Sequence, residues 1–118
     1  MQLSVGVDVG GTKVLAVLMG ADGAVVAEAR APTPLDNEEL LDVIAKAAAE
    51  VGAGTSAHDV GVGVPGLVDR DGTLRFAPNL PGVLGVPVRA GLEARLPGVS
   101  VRVGNDATFA GWAEHVLG

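Results

Sequence analysis

The chain has 118 residues and a net charge of −6, one domain at most, long enough to bury roughly two-thirds of its unfolded surface and too short for a second catalytic lobe. Hydrophobic residues make up 48% of it, mainly Val, Ala and Leu with Phe76, Phe109 and Trp112 as the aromatics, which suits a packed α/β interior and excludes a disordered chain. The pI near 4.6 and the lack of any Lys/Arg cluster exclude the footprint of a nucleic-acid binder, and the absence of cysteine excludes disulfides and thiolate metal sites and fits a reducing compartment.

At the N-terminus, Met1-Gln2 carries no basic segment and Asp8 interrupts the first apolar run, unlike a secretory signal. No run of about 18 apolar residues follows anywhere, so a soluble, cytoplasmic protein without membrane contact is expected. Leu3 to Val9 is valine-rich and reads as a strand, Thr12 to Met19 as a second, and the Gly10-Gly11 corner between them as a tight turn. Asp22-Gly23 signals another turn, before a third strand over Ala24 to Ala31. Pro32 and Pro34 end that meander. Asp36 is a good N-cap, Glu38 and Glu39 suit a first helical turn, and Leu40, Leu41, Val43, Ile44, Ala47 and Ala48 recur at helical spacing to Val51. Asp59 to Val64 resumes strand character, and Leu67 to Phe76 reads as a small hairpin turning on Asp71-Gly72. The proline-rich stretch 77–87 reads as loop, 88–96 as a short helix and Val99 to Val103 as a last strand. Asn105 or Asp106 then caps a helix running through Trp112 to Leu117. This order implies a mixed five-stranded sheet: a meander on one side, then strands joined by crossover helices and so parallel, with helices on the faces of the sheet.

Two glycine motifs compete for a phosphate. Gly61-Val62-Gly63-Val64-Pro65-Gly66 is a literal GxGxxG, but a dinucleotide fingerprint needs its glycines in a turn that opens into a helix. Here alternate glycines lie inside a strand, where they let another backbone or a ligand approach closely. A Walker loop is absent, since Lys13 leads into a strand. In the corner itself, Gly10, Gly11, Thr12 and Lys13 combine converging backbone N–H groups, a hydroxyl and a positive charge. Such a corner can hold phosphate oxygens without a helix terminus, and Asp8 would face the same pocket, able to orient Mg²⁺ or its waters. The tetrapeptide alone is equally a hairpin corner with a surface lysine. At the other end, Asn105 and Asp106 close a strand and open a helix, the location where open α/β sheets gather ligand groups, although capping explains them too. Asn79 sits on a proline-stiffened loop, where its amide can donate to and accept from sugar hydroxyls or simply serve a turn. His58, in a polar turn, and His115, late in the last helix, need no functional role.

Taken together and in order, the segments 8-DVGGTK-13, 61-GVGVPGLVD-69, 76-FAPNLPG-82 and 104-GNDATFAGWAE-114 resemble the ROK family (repressor, open reading frame, kinase), which includes bacterial glucokinases. Their spacing runs the whole chain. The resemblance implies a ribonuclease H-like, actin-like ATPase fold of two lobes around a cleft, with residues 1–118 as the N-terminal lobe and the C-terminal lobe absent from this chain. It also implies an ATP-dependent hexose kinase, glucose being the expected acceptor, and resolves the glycine corner toward phosphate. Carried over by position, Gly10, Gly11, Thr12 and Lys13 bind phosphate and Asp8 lies near Mg²⁺, through water. Gly66, Asn79, Asn105 and Asp106 contact the sugar, and Asp106 is the catalytic base. The family's zinc site, second sugar motif and adenosine pocket would lie outside this chain.

Two positions depart from the pattern: 83-VLGVP-87 is aliphatic where an aromatic is common, and Thr108 stands where Asn is common. Two other readings of the resemblance are a sugar-sensing repressor, which would place a helix-turn-helix before the first strand, and a non-catalytic actin-like relative. The isolated lobe is expected to be inactive and to self-associate through the apolar face left uncovered.

Overall fold

Three valine- and alanine-rich segments open the chain and pair as a meander. In the computed structural model, which describes residues 3–55, 57–64, 67–76 and 85–105, these are β1 (Leu3–Val9), β2 (Lys13–Gly20) and β3 (Val25–Pro32). β1 runs antiparallel to β2 with Val7 opposite Ala16, and β2 antiparallel to β3 with Ala16 opposite Ala29. Side-chain alternation decides the faces. Val5, Val7 and Val9 on β1 and Val14, Ala16 and Leu18 on β2 are buried together, while Ser4, Gly6 and Asp8 take the opposite face. A slip of one residue would send the whole valine set to the wrong side, which fixes the register.

α1 (Asn37–Gly52) starts where the sequence predicts: Asp36 Oδ2 accepts from the amides of Glu38 and Glu39, both at 3.1 Å. Its stripe of Leu40, Leu41, Ile44, Ala47, Ala48 and Val51 is buried against the sheet. β4 (Asp59–Val64) then lies parallel to β1, followed by β5 (Leu67–Val68), β6 (Thr73–Phe76), β7 (Val86–Pro87), α2 (Val88–Arg95) and β8 (Ser100–Asn105), the last parallel to β4. The main sheet is therefore mixed and five-stranded, in the order β3-β2-β1-β4-β8, and β5, β6 and β7 form a small second sheet.

Both crossovers advance across the sheet in the same direction, from β1 to β4 and from β4 to β8. Right-handed connection then brings both helices to one face. Leu40, Leu41 and Ile44 of α1 and Val88 and Leu92 of α2 share a single core with the strand valines. Both helices among the described residues thus lie on that face. The helix expected after Asn105 lies outside the described residues, as does most of the loop bearing Asn79.

The hairpin expected at Asp71-Gly72 forms: Asp69 Oδ1 accepts from the amides of Asp71 (2.9 Å) and Thr73 (3.1 Å), and Gly72 takes φ 77°. One reading needs correction. The stretch 77–87 was expected to be loop throughout, yet Val86 and Pro87 pair with Leu74 and Thr73 as β7. A proline is tolerated there because, among the described residues, β7 pairs on one side only, as an edge strand does.

A glycine corner and three strand ends on one edge

β1, β4 and β8 are parallel neighbours, so their carboxyl ends lie along the same edge of the sheet. Register makes this specific: Asp8 is opposite Gly63, and Gly63 is opposite Gly104. That row carries one carboxylate beside two residues without side chains. The next row joins Val64 to Asn105. Beyond it the β1 strand enters the glycine corner.

The corner is built by backbone. The Gly10 amide donates to Lys13 O at 2.9 Å, and a β-carbon at position 10 would stand 3.1 Å from that same carbonyl oxygen, so the close approach favours glycine. Gly11 and Thr12 at its tip are exposed. No acceptor among the described residues takes either of their amide hydrogens. Lys13 and Leu15 alternate with the buried Val14, and Leu15 is opposite Asp8. Lys13 and Asp8 therefore share the face that α1 and α2 leave free, and both are exposed. Ammonium, carboxylate, hydroxyl and two unclaimed amides thus meet at one end of the sheet, an arrangement able to receive an anion.

The predicted site residues divide accordingly. Asp8, Gly10, Gly11, Thr12 and Lys13 come together at this corner. The backbone of Asn105 ends β8 on the same edge. Gly66, Asn79 and Asp106 lie outside the described residues. Gly61 and Gly63 are inside β4, whose chain continues into the strand β5 rather than a helix; the GxGxxG is not a dinucleotide turn.

Sequence reasoning missed Thr33. Its hydroxyl donates to Gly10 O at 2.8 Å and its amide donates to Thr12 O at 3.0 Å, so it grips the corner from the next loop. The available signal was its setting, Pro32-Thr33-Pro34, in which the flanking prolines hold the backbone extended. No group of three or more His, Asp or Glu side chains among the described residues could hold a metal by itself. A Mg²⁺ ion takes few protein oxygens and keeps several waters beside phosphate, so the lone exposed carboxylate of Asp8 at the corner fits that ion. No helix among the described residues is long and apolar enough to cross a membrane.

The sheet order and the shared strand ends define a lobe of the ribonuclease H-like, actin-like ATPase fold, here with a small extra sheet. The sequence matches the ROK family over residues 4–118, and the chain belongs to that family. It is 38% identical to the glucokinase of Streptomyces coelicolor over 119 aligned positions, covering all of this chain and 37% of the relative. With the N-acetyl-D-glucosamine kinase of Vibrio parahaemolyticus it shares 42% identity over 86% of this chain and 34% of the relative. Among solved structures, the ROK glucokinase of Streptomyces griseus in complex with glucose and AMPPNP superposes with a TM-score of 0.87 at 36% identity, over 98% of this chain and 37% of that one. The chain spans a little over a third of the length of these relatives.

Proposed function

We propose that these residues form the N-terminal, sugar- and phosphate-binding lobe of a cytoplasmic, ATP-dependent hexose kinase, and that the reaction needs a second lobe facing this one. The single observation that supports the reading is the shared edge. The corner at Gly10 to Lys13 and the end of β8 at Asn105 sit at the carboxyl ends of β1 and β8, which flank β4 and run parallel to it, in a chain whose relatives include a glucokinase and an N-acetyl-D-glucosamine kinase.

In this reading Gly11 and Thr12 offer amides, and Lys13 a charge, to the phosphate oxygens of the nucleotide. Asp8 would help to hold Mg²⁺, which would supply charge neutralisation for the phosphates when bound. Asp106 follows Asn105 directly. Its carboxylate orients a sugar hydroxyl and accepts its proton as the γ-phosphoryl group moves in line, since a hydroxyl is a poor nucleophile until that proton has a destination. Asn79, Gly66 and Asn105 complete the sugar contacts. Glucose and N-acetylglucosamine are the acceptors to try first.

The test is turnover of the native polypeptide carrying residues 1–118, with ATP and either sugar, against the variant Asp106→Ala. Removing a general base costs about 10²–10⁴ in rate, so kcat should fall by that factor with little change in the sugar KM. A variant retaining turnover within about tenfold of wild type would remove Asp106 from the role of base.

A further inference from the structure

Two carbonyls of the glycine corner are held by one side chain and its own amide. Thr33 is 23 residues away from Gly10 in sequence and lies in the loop between β3 and α1, yet its Oγ1 donates to Gly10 O at 2.8 Å and its N–H donates to Thr12 O at 3.0 Å. The carbonyl of Gly10 belongs to the same planar peptide as the amide of Gly11, and in a trans peptide the two point in opposite directions. Drawing Gly10 O toward Thr33 therefore turns the Gly11 N–H to the side away from Thr33. The carbonyl of Thr12 is held separately, by the Thr33 amide on the β3 side of β2.

In a closed two-residue hairpin the carbonyl of the first flanking residue accepts from the second flanking residue. At this corner the acceptor on Gly10 receives the Thr33 hydroxyl. The anchor is itself stiff. Pro34 biases Thr33 to extended backbone and Pro32 has its φ fixed by its ring, while Pro32 is paired with Lys13 at the end of β3. Asp36, three residues on from Thr33, caps α1, so the loop is tied to the core at both ends.

We propose that Thr33 is a positioning residue for the phosphate corner: its hydroxyl fixes the plane of the Gly10–Gly11 peptide so that the Gly11 amide is oriented for the nucleotide's terminal phosphates before the nucleotide arrives. This rests on the phosphate reading of the corner. Preorganised donors need no rearrangement on binding, so removing the anchor acts on nucleotide binding rather than on the sugar.

Thr33→Val keeps the shape and deletes the hydroxyl; Thr33→Ser keeps the hydroxyl. In the native polypeptide Thr33→Val should raise the nucleotide KM about tenfold while the sugar KM stays within about twofold, and Thr33→Ser should restore the nucleotide KM to within about threefold of wild type. An unchanged nucleotide KM in Thr33→Val, an equal rise in both KM values, or no recovery in Thr33→Ser would overturn the proposal. A second measurement separates it from its premise: titrating the native polypeptide that carries residues 1–118 with Mg²⁺ and inorganic triphosphate while following the backbone amide resonances. Wild type should show shifts at Gly11 and Thr12, and Thr33→Val should need a several-fold higher concentration for the same shifts. Resonances that stay still in wild type would overturn the phosphate reading itself, and the role of Thr33 with it; equal response in wild type and Thr33→Val would overturn only the latter.

Discussion

Two glycines illustrate how differently the same residue is constrained. Gly72 closes the β5–β6 hairpin at φ 77°, a left-handed conformation that a β-carbon disfavours, and the sequence announces it because Asp71-Gly72 is a turn pair. Gly91 is in the middle of α2, where propensity alone would favour alanine by about 1 kcal/mol. Its reason is spatial: a β-carbon there would stand 2.6 Å from Leu41 Cδ1 and 3.3 Å from Leu41 Cγ. Leu41 is 2% exposed, so its side chain would have to shift within the core to make room. Overpacking of this kind costs about 1–3 kcal/mol, more than the helix gains. Gly91→Ala should therefore lower the denaturant midpoint by an amount equivalent to about 1 kcal/mol at an unchanged slope. A midpoint at or above wild type would mean that Leu41 repacks freely and that the α1–α2 approach is not set by this glycine. Nothing in the sequence distinguishes Gly91 from a helix-weakening accident, because its constraint comes from a residue 50 positions earlier.

Among elements, the strands and α1 were legible because each has its own periodicity and its own punctuation. Period-two valines ending at Gly10, Asp22-Gly23 and Pro32 bound the meander, and Asp36 followed by Glu38 and Glu39 marks a helix start that the observed cap confirms. β7 was illegible: two residues have no period, and Pro87 argues against a strand until the partner β6 is known. The joint between α1 and α2 was illegible too. Arg95, at the end of α2, donates from Nε to Asp42 at 2.8 Å and from Nη2 to Glu38 at 2.6 Å, both on α1, and from Nη1 to Gly91 O at 3.0 Å. The hydrogen bond to Asp42, then that to Glu38, raises the guanidinium pKa further above its ordinary value. An Arg fork of this kind is geometrically specific where a lysine would not be. Arg95→Met keeps the aliphatic stem and deletes the fork, so it should lower Tm, and the difference from wild type should shrink as salt is added, because the carboxylates are exposed and screening weakens such pairs. A loss of Tm that is independent of salt would assign the effect to packing of the stem instead.

On the scale of the whole molecule, the strand ends that gather Asp8, the glycine corner and the backbone of Asn105 on one edge were legible from topology, while the bonds that hold the corner were not. The sequence yields the glycine corner and the Asn105-Asp106 pair, and topology then aligns the ends of β1, β4 and β8; Thr33 escaped notice because its bonds to residues 10 and 12 span more than twenty positions. The same topology leaves β3 at one edge of the main sheet with a partner on one side only. That edge is unevenly guarded. Its later half carries Glu28, Arg30 and Pro32, charges and a missing amide that discourage a further strand, and Glu28 and Arg30 lie 3.8 Å apart as an ion pair. Its first half presents Val25 and Val26, which are 57% and 59% exposed. Unpaired backbone beside exposed β-branched side chains is a template for another chain. Residues 1–118 alone should therefore associate in a concentration-dependent way by light scattering, and Val26→Lys, which adds a charge to the open half of the edge, should return the chain to monomer without changing Tm by more than a degree or so. Association that persists unchanged in Val26→Lys would move the contact to another surface, and a wild-type chain that stays monomeric at all concentrations would show that Glu28, Arg30 and Pro32 guard the whole strand.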